Sequence, residues 1–285
     1  MKKMKKMKKK HIVAIVVVLV AIFIALVGWT VWININITTS HITIKNDKIP
    51  EEFSGFKIAQ ISDLHNHQWG QKLIESIEKA SPDIIVVTGD LVDSSHPNLD
   101  IAMEFINSAL KIAPIYYVTG NHEARLDNYG DLEEMLVDAG VHIMDDRNEW
   151  IEKAGKKIKI IGIQDPNFVE KVGTGGLHEA IVTTKLEPLI DKNYYNIVLC
   201  HRPEVFSGYV RVQADLVFTG HAHGGQIRLP FIGGLVAPNQ GLFPKYTEGI
   251  YSQDGTDMIV SRGLGNSIIP IRFNNMPELV LVILE

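Results

Sequence analysis

Side chains able to bind metal ions follow five separate apolar segments of this chain. Each segment is a short run rich in β-formers, and the residues after the five runs are Asp63-Leu64-His65, Gly89-Asp90-Leu91-Val92-Asp93, Gly120-Asn121-His122-Glu123, His201-Arg202-Pro203 and Gly220-His221-Ala222-His223. One histidine beside a strand is usually a packing residue, but imidazoles and carboxylates without thiolates suit Mn²⁺, Fe or Zn²⁺ in a catalytic site. Two ions that share a bridging carboxylate would use the whole set.

The five runs must belong to a fold that brings their ends together. Apolar runs alternate with helical patterns, which is typical of an α/β layered domain whose ligands bind beyond the carboxyl ends of the strands. We predict helices and strands at the following positions: helices over 71–80, 99–112, 131–139 and 177–190, a strand over 157–163, and two strands from DMIVSRGLG and PELVLVILE that close a second sheet.

Taken in order, the five motifs resemble the signature of the calcineurin-like metallophosphoesterases across about residues 55–285. The segments GHAHGGQIRLP, KYTEGIY and SRGLGNSIIPIRF and the ending PELVLVIL are similar to the membrane-associated or exported bacterial phosphodiesterases of that superfamily. The resemblance implies an α/β fold, a four-layer αββα sandwich, here preceded by one transmembrane helix. It also implies a metal-dependent hydrolase with a dinuclear metal centre.

The resemblance assigns roles to residues by matching position. Asp63, His65 and His223 would bind one metal ion, with Asp90 bridging to the second. The second ion would be bound by three further residues: Asn121, His201 and His221. His122 would protonate the leaving oxygen or stabilise its charge, Glu123 would orient that imidazole, and Asp93 would hold a ligand or the loop.

The reaction implied is hydrolysis of a phosphodiester by a metal-bridging hydroxide, with two divalent ions (Mn, Fe or Zn) as cofactors. Four arginines are candidates for binding the phosphate group, with Arg262 and Arg272 favoured over Arg202 and Arg228. Two alternatives stay open: a pyrophosphatase acting on a lipid-linked or nucleotide-sugar diphosphate, and a cell-envelope binding protein without activity. Lipid or other envelope components are the expected source of substrate.

The N-terminal residues differ in kind from the rest of the chain. Residues 1–11 form a basic tail with seven lysines, and residues 12–33 are almost entirely apolar and would span about 33 Å as a helix. This stretch is longer than the apolar part of a cleaved signal peptide and lacks a small-residue cleavage pattern. We therefore expect a single-pass anchor in the cell membrane, with a cytoplasmic N-terminus and an extracytoplasmic catalytic domain. Residues 34–53 are a linker or a first strand, and residues 54–285 form the metallophosphoesterase domain.

The net charge of the chain without its lysine tail limits the kinds of partner that it can bind. Without the seven lysines of the tail, 21 of the 28 basic residues remain against 33 acidic ones, a net charge of −12. This excess argues against a nucleic-acid partner, which requires clustered basic residues.

The single cysteine, Cys200, is predicted to be a buried apolar residue. The glycine-rich loop 172–176 is predicted to be a surface loop and not a phosphate cradle, and four histidines outside the motifs are predicted to be surface or packing residues: His67, His96, His142 and His178.

Overall fold

The computed structural model describes residues 9–170, 176–266 and 270–285. The first part of the chain contains α1 (Lys9–Asn34), β1 (Thr38–Ile44), β2 (Lys57–Ile61), α2 (Gln71–Ala80), β3 (Ile84–Thr88), α3 (Leu99–Ala109), β4 (Ile115–Val118), α4 (Tyr129–Ala139), β5 (His142–Ile143), β6 (Arg147–Lys153) and β7 (Lys156–Gly162). The second part contains α5 (His178–Leu186), β8 (Asn196–Leu199), α6 (Phe206–Val212), β9 (Leu216–Thr219), β10 (Arg228–Leu229), β11 (Gly233–Gly234), β12 (Val236–Ala237), β13 (Gly241–Leu242), β14 (Gly249–Gln253), β15 (Thr256–Val260) and β16 (Glu278–Leu284).

These strands form two large sheets within the described residues. The first has the order β1-β16-β2-β3-β4-β5 and the second the order β14-β15-β9-β8-β7-β6. The central strands of each sheet, β2, β3 and β4 in the first and β7, β8, β9 and β15 in the second, run parallel. Two short antiparallel hairpins, β10–β11 and β12–β13, lie outside both sheets.

The two sheets pack face to face, and helices cover their outer faces. Side chains along β16 point alternately to the two faces of its sheet. Leu279 and Leu281 pack with α2 and α3, whereas Val280 and Val282 pack between the sheets. A third cluster joins α5 and α6 to the second sheet. Strands with both faces buried are close to continuously apolar, as β3, β4 and β9 are. The predicted four-layer αββα sandwich is confirmed.

The last strand corrects one prediction. PELVLVILE was expected in the second sheet, but β16 lies in the first, parallel to β1 and antiparallel to β2. Pairing between β1 and β16 also answers the question left open for residues 34–53, since Thr38–Ile44 is a strand and not a linker. The folded domain therefore begins before residue 54. Order along the chain gave no sign that the segment after β15 crosses from one sheet to the other.

The other elements lie close to their predicted positions. The helix over 71–80 has the predicted bounds, and the helix predicted over 99–112 ends at Ala109. The helix predicted over 177–190 ends at Leu186 and continues as a 3-10 turn, because Pro188 cannot supply the N–H that the α-helix requires. Residues 172–175 of the predicted glycine-rich loop lie outside the described residues.

Helix α1 lies outside the sandwich. One helix in the described part of the chain is long and apolar enough to span a membrane, namely His11–Asn34, which has a mean hydropathy of 3.2 and leaves most of its apolar side chains exposed. The rings of Trp29 and Trp32 stack near its end, 5.2 Å apart between centroids. The helix is therefore a candidate membrane span.

The end of α1 is attached to the folded domain. Ile33 is buried, and the Asn34 side-chain amide donates to the Arg272 carbonyl at 2.7 Å. The Arg272 N–H in turn donates to Asn34 Oδ1 at 2.9 Å, and the Lys72 ammonium donates to the Ile35 carbonyl at 2.8 Å. These contacts hold the helix end against a specific edge of the domain.

Candidate metal centre

The loops after five strands meet at one edge of the sandwich. These strands are β2, β3 and β4 of the first sheet and β8 and β9 of the second, and their carboxyl ends carry the predicted ligands. All seven predicted ligands are buried, each with at most 7% of its surface exposed: Asp63, His65, Asp90, Asn121, His201, His221 and His223. Residues up to 160 positions apart thus form one polar site at the position that the strand-end pattern predicted.

The first group of potential ligands consists of Asp63, His65, Asp90 and His223, whose ligand atoms all lie within 4.8 Å of one another. The Nε2 atoms of His65 and His223 are 3.2 Å apart. His223 Nε2 lies 3.3 Å from Asp63 Oδ1, and His65 Nε2 lies 3.5 Å from Asp90 Oδ2. Four nitrogen and oxygen atoms that face one point are suited to one divalent ion.

The second group shares Asp90 with the first. Asp90, His201 and His221 offer ligand atoms within 4.8 Å of one another. His201 Nε2 lies 3.2 Å from Asp90 Oδ2 and 3.1 Å from His221 Nδ1. Because Asp90 belongs to both groups, its carboxylate could bridge two ions.

Asn121 supplies an independent observation that fits a cation site. Its side chain is buried, and Oδ1 has no hydrogen-bond partner among the residues that the structure describes. A buried amide oxygen without a partner is costly unless another group binds it. Asn121 lies between Gly120 and His122, and the His122 N–H donates to Asp90 Oδ1 at 2.8 Å. The amide oxygen is thus available for the second ion.

Hydrogen bonds outside the cluster fix which imidazole nitrogens face it. His201 Nδ1 lies 2.7 Å from the Thr88 carbonyl, which can only accept a hydrogen bond, so Nδ1 carries a proton and Nε2 faces Asp90. His221 Nε2 lies 2.9 Å from Asn239 Oδ1 and 3.0 Å from an Arg202 guanidinium nitrogen, so Nδ1 is the ring nitrogen that faces the cluster. Support of this kind around a ligating histidine orients the ring and raises its basicity.

Burial keeps most of the imidazoles neutral. It lowers the pKa of His65 to about 4 and that of His221 and His223 well below the usual value. Neutral imidazole is the form that binds metal. His201 differs, because the nearby carboxylates of Asp90 and Asp63 outweigh burial and raise its pKa to about 10. Its proton supplies positive charge beside two buried carboxylates, and a bound cation would supply that charge instead.

The carboxylates show the same demand for positive charge. Burial raises the pKa of Asp63 to about 6, although His201 opposes this shift. Burial also acts on Asp90, but the imidazoles of His201, His122 and His65 overcome it and hold its pKa well below the usual value. The geometry, the neutral imidazoles and the orphaned Asn121 oxygen all fit a site for divalent cations.

The backbone of the site is strained. Five of the seven potential ligands have left-handed conformations, with φ between 46° and 66°: Asp63, His65, Asp90, His221 and His223. Residues other than glycine adopt this region at a cost, and such residues cluster at functional sites. A Cβ atom at Gly220 would overlap Ser62 and Asp63, so glycine there allows the loop after β9 to approach the loop after β2.

His122 lies beside the cluster and is held by a residue that the sequence analysis missed. Its ring is perpendicular to that of His65, with centroids 4.4 Å apart. The Ser94 N–H donates to His122 Nδ1 at 3.0 Å, so in the neutral ring the proton is on Nε2. Asp93 lies near the same ring, with Oδ1 4.0 Å from Nδ1. The arrangement makes His122 Nε2 a hydrogen-bond donor.

Glu123 does not orient His122, contrary to the prediction. Its carboxylate accepts hydrogen bonds from four backbone N–H groups in the loops after β3 and β4. The donors are Asp90 at 2.8 Å, Leu91 at 2.8 Å, Val92 at 3.2 Å and Gly120 at 2.7 Å. A buried carboxylate requires several donors, and the turn after β3 supplies three of them. Glu123 therefore positions the loop that carries Asp90.

The four candidate arginines have different environments. Arg202 forms a buried double ion pair with Asp165, at 2.6 and 2.9 Å, and donates to Asn239, so it supports His221. Arg228 pairs with Glu248. Arg262 was predicted to bind substrate, but it pairs with Glu278 at 3.0 Å and with Glu248 at 3.4 Å. These two carboxylates already balance its charge, which disfavours the predicted role in binding phosphate.

Arg272 is the candidate whose guanidinium lies beside the ligand cluster. It is fully buried, and no carboxylate in the described part of the chain forms an ion pair with it. One guanidinium nitrogen lies 3.4 Å from His223 Nδ1 and donates to the Gly265 carbonyl at 2.5 Å. A buried cation beside the ligand cluster is suited to an anionic group. No sequence signal separated Arg272 from Arg262, because both follow β15 and only folding gives them different partners.

The residues outside the site agree with their predicted packing roles. Cys200 is buried, which raises the pKa of its thiol to about 12. His178 is buried between Glu170 and Glu204, His142 pairs with Glu149, and His96 is exposed. His67 packs against Trp69, with ring centroids 4.5 Å apart.

Comparison with known proteins gives independent evidence on the family of this chain. The family model described as calcineurin-like phosphoesterase matches residues 56–225. The uncharacterized metallophosphoesterase YkuE of Bacillus subtilis (strain 168) is 30% identical over 259 residues, which cover 87% of this chain and 85% of the relative. The phosphodiesterase YaeI of Escherichia coli (strain K12) is 26% identical, with coverage of 80% and 81%.

A third relative has a membrane-associated description. The transmembrane protein with metallophosphoesterase domain of Danio rerio is 25% identical over 259 residues, which cover 86% of this chain and 56% of the relative. The matched family model begins at Phe56 and ends at Gly225, so it includes all seven potential ligands, together with His122 and Glu123. From the extent of this match and the likeness to YkuE, the chain belongs to the calcineurin-like phosphoesterase family.

Proposed function

We propose that this metallophosphoesterase is a membrane-anchored phosphodiesterase with two divalent metal ions. The observation that carries the proposal is the pair of ligand groups that share Asp90, with the donor His122 beside them. The likeness to YaeI, which is described as a phosphodiesterase, favours diesters over monoesters as substrates.

Seven side chains would hold the ions. One ion would be bound by Asp63, His65 and His223, and the other by Asn121, His201 and His221, with Asp90 common to both. Ions bound there would lower the pKa of a water molecule to make it a nucleophile and would neutralise charge on the phosphoryl oxygens. Mn²⁺, Fe and Zn²⁺ all accept this mixture of imidazole and oxygen ligands.

The protein itself would supply the proton for the leaving group. As the bond between phosphorus and the ester oxygen breaks, that oxygen takes the proton from His122 Nε2, and water supplies the oxygen that remains on phosphorus. Ser94 keeps the ring in the tautomer that carries this proton. The site would therefore assist departure of an alcohol, which a purely structural metal site would not require.

Arg272 would bind a phosphoryl oxygen at the edge of the cluster. Its guanidinium is buried beside His223 and has no carboxylate partner in the described residues, so a phosphate anion would balance its charge. A hydrogen bond between a charged donor and a charged acceptor contributes about 1.5–3 kcal/mol.

Helix α1 would anchor the enzyme in the cell membrane. Its exposed apolar length matches a bilayer, and the seven lysines of residues 1–11 would remain in the cytoplasm. The catalytic domain would then lie on the extracytoplasmic side, where envelope phosphodiesters or diphosphates would be its substrates.

Replacement of His122 should separate catalysis from metal binding. With bis-p-nitrophenyl phosphate as substrate and Mn²⁺ present, we expect His122→Ala to lower kcat by about 10²–10⁴-fold and to retain its metal. Asp90→Ala should lose both activity and metal, because both ligand groups share that carboxylate. The control is His142→Ala, since His142 lies at the far edge of the first sheet. Elemental analysis of the purified variants measures metal content, and full activity in His122→Ala would contradict the mechanism.

The role of Arg272 is separable from that of Arg262. We expect Arg272→Gln to raise KM by roughly tenfold or more, because one charged hydrogen bond to phosphate is lost. Arg262→Gln should change KM much less, since Arg262 pairs with Glu278 and Glu248. Steady-state kinetics on variants with matched unfolding temperatures provide the measurement. Equal KM increases in both variants would contradict a specific phosphate contact.

The proposed orientation predicts where a protease can reach the domain. In intact cells, or in spheroplasts where an outer membrane exists, added protease should digest residues beyond α1. Immunoblots with an antibody against the domain would follow its loss, with a cytoplasmic protein as the control for intact membranes. A protected domain beside a protected cytoplasmic control would show that the orientation is wrong.

A further inference from the structure

Two short hairpins beside the metal centre expose large apolar side chains. Phe231 and Ile232 form the turn of the β10–β11 hairpin, and Leu242 and Phe243 end the β12–β13 hairpin. All four are exposed, and Phe231 is fully so. We call these four residues the hairpin surface. Exposed apolar groups of this kind mark sites of interaction with membranes or other proteins.

The hairpin surface is connected to the end of α1 by hydrogen bonds. The Arg228 N–H, at the base of the first hairpin, donates to the Phe273 carbonyl at 3.0 Å. The preceding residue, Arg272, exchanges two hydrogen bonds with Asn34, the last residue of α1. Trp29 and Ile33 line one small cavity together with residues 274–276. The helix end and the hairpin base thus belong to one continuous structure.

The two sheets place this region at one edge of the sandwich. β1, which follows α1, is the edge strand of the first sheet, and β14, which follows the hairpins, is the edge strand of the second. Ser40 and Ile42 of β1 line a common cavity with Glu248 and Gly249 at the start of β14. The opposite edge carries β5 and β6, so the proposed membrane span and the hairpins share an edge.

We propose that the hairpin surface inserts into the interfacial region of the bilayer that α1 spans. This inference rests on the anchoring proposed above. Phenylalanine and leucine at loop tips are suited to the boundary between headgroups and acyl chains. A bilayer is favoured over a second copy of the chain because α1 brings that bilayer to the same edge. Since His223 precedes β10 by only a few residues, insertion would place the metal centre close to the membrane surface.

Lipid quenching of a fluorophore tests this surface in the full chain. Phe231→Cys labels the hairpin surface, Val20→Cys labels the middle of α1, and Val137→Cys labels an exposed apolar position on α4, which leads into the edge strand β5. The native Cys200 is buried, and its thiol has a pKa raised to about 12, so it should not react. Each variant is labelled with an environment-sensitive dye and placed in nanodiscs of phosphatidylcholine and phosphatidylglycerol with spin-labelled lipids.

We expect spin labels near the headgroups to lower emission from residue 231 by roughly a factor of two or more, and to leave residue 137 unchanged. Spin labels deep in the acyl region should quench residue 20. If the headgroup spin labels quench residue 231 no more than residue 137 while the deep labels quench residue 20, the insertion is overturned but the anchor is intact. Unquenched residue 20 would overturn the anchoring itself. A blue shift at 231 without lipid quenching would indicate a second copy and also overturn the proposal. Phe243→Cys repeats the test if Phe231→Cys unfolds.

Discussion

The structure of the site depends on the burial of two carboxylates, Asp63 and Asp90, between the ends of two sheets. Neither carboxylate has access to water, so each requires positive charge or hydrogen-bond donors. In the protein alone, that need is met by a protonated His201 and by backbone N–H groups. Divalent cations would satisfy the same need and release the His201 proton, which couples metal binding to the charge state of the site.

The fold keeps this arrangement in place at a cost in backbone strain. Five ligand residues have left-handed conformations, and Gly220 allows its loop to pass close to Ser62 and Asp63. Such conformations persist only where surrounding packing determines them. Here the buried strands β2, β3 and β9 end immediately before the strained residues, and Glu123 binds the N–H groups of the loop after β3. Rigid strands and one buried carboxylate thus maintain the position of Asp90.

Much of the site could be predicted because it depends on local order along the chain. A buried strand followed by Asp-x-His or Gly-Asp fixes where those side chains lie, since parallel strands end at a common edge. The grouping of ligands around Asp90 followed from family resemblance, and the structure brings the same residues together. Their role in binding metal stays a prediction.

The features that escaped prediction depend on contacts between distant segments. Ser94 carries no motif, yet its N–H sets the tautomer of His122. Glu123 was assigned to its neighbour in sequence, although its partners are backbone groups 31 to 33 positions away and Gly120. The placement of β16 in the first sheet depends on its pairing with β1 and β2. In each case the residue type could be read from the sequence, but the distant residues that it contacts could not.

The central claim is that two cations share Asp90. Its most direct test is a crystal structure of the full chain with Mn²⁺, with anomalous diffraction measured at the manganese edge. The account predicts two anomalous peaks about 3.5–4 Å apart, with Asp90 between them and the Asn121 side-chain oxygen at one of them. A single peak, or peaks away from the His201 and His223 imidazoles, would contradict it.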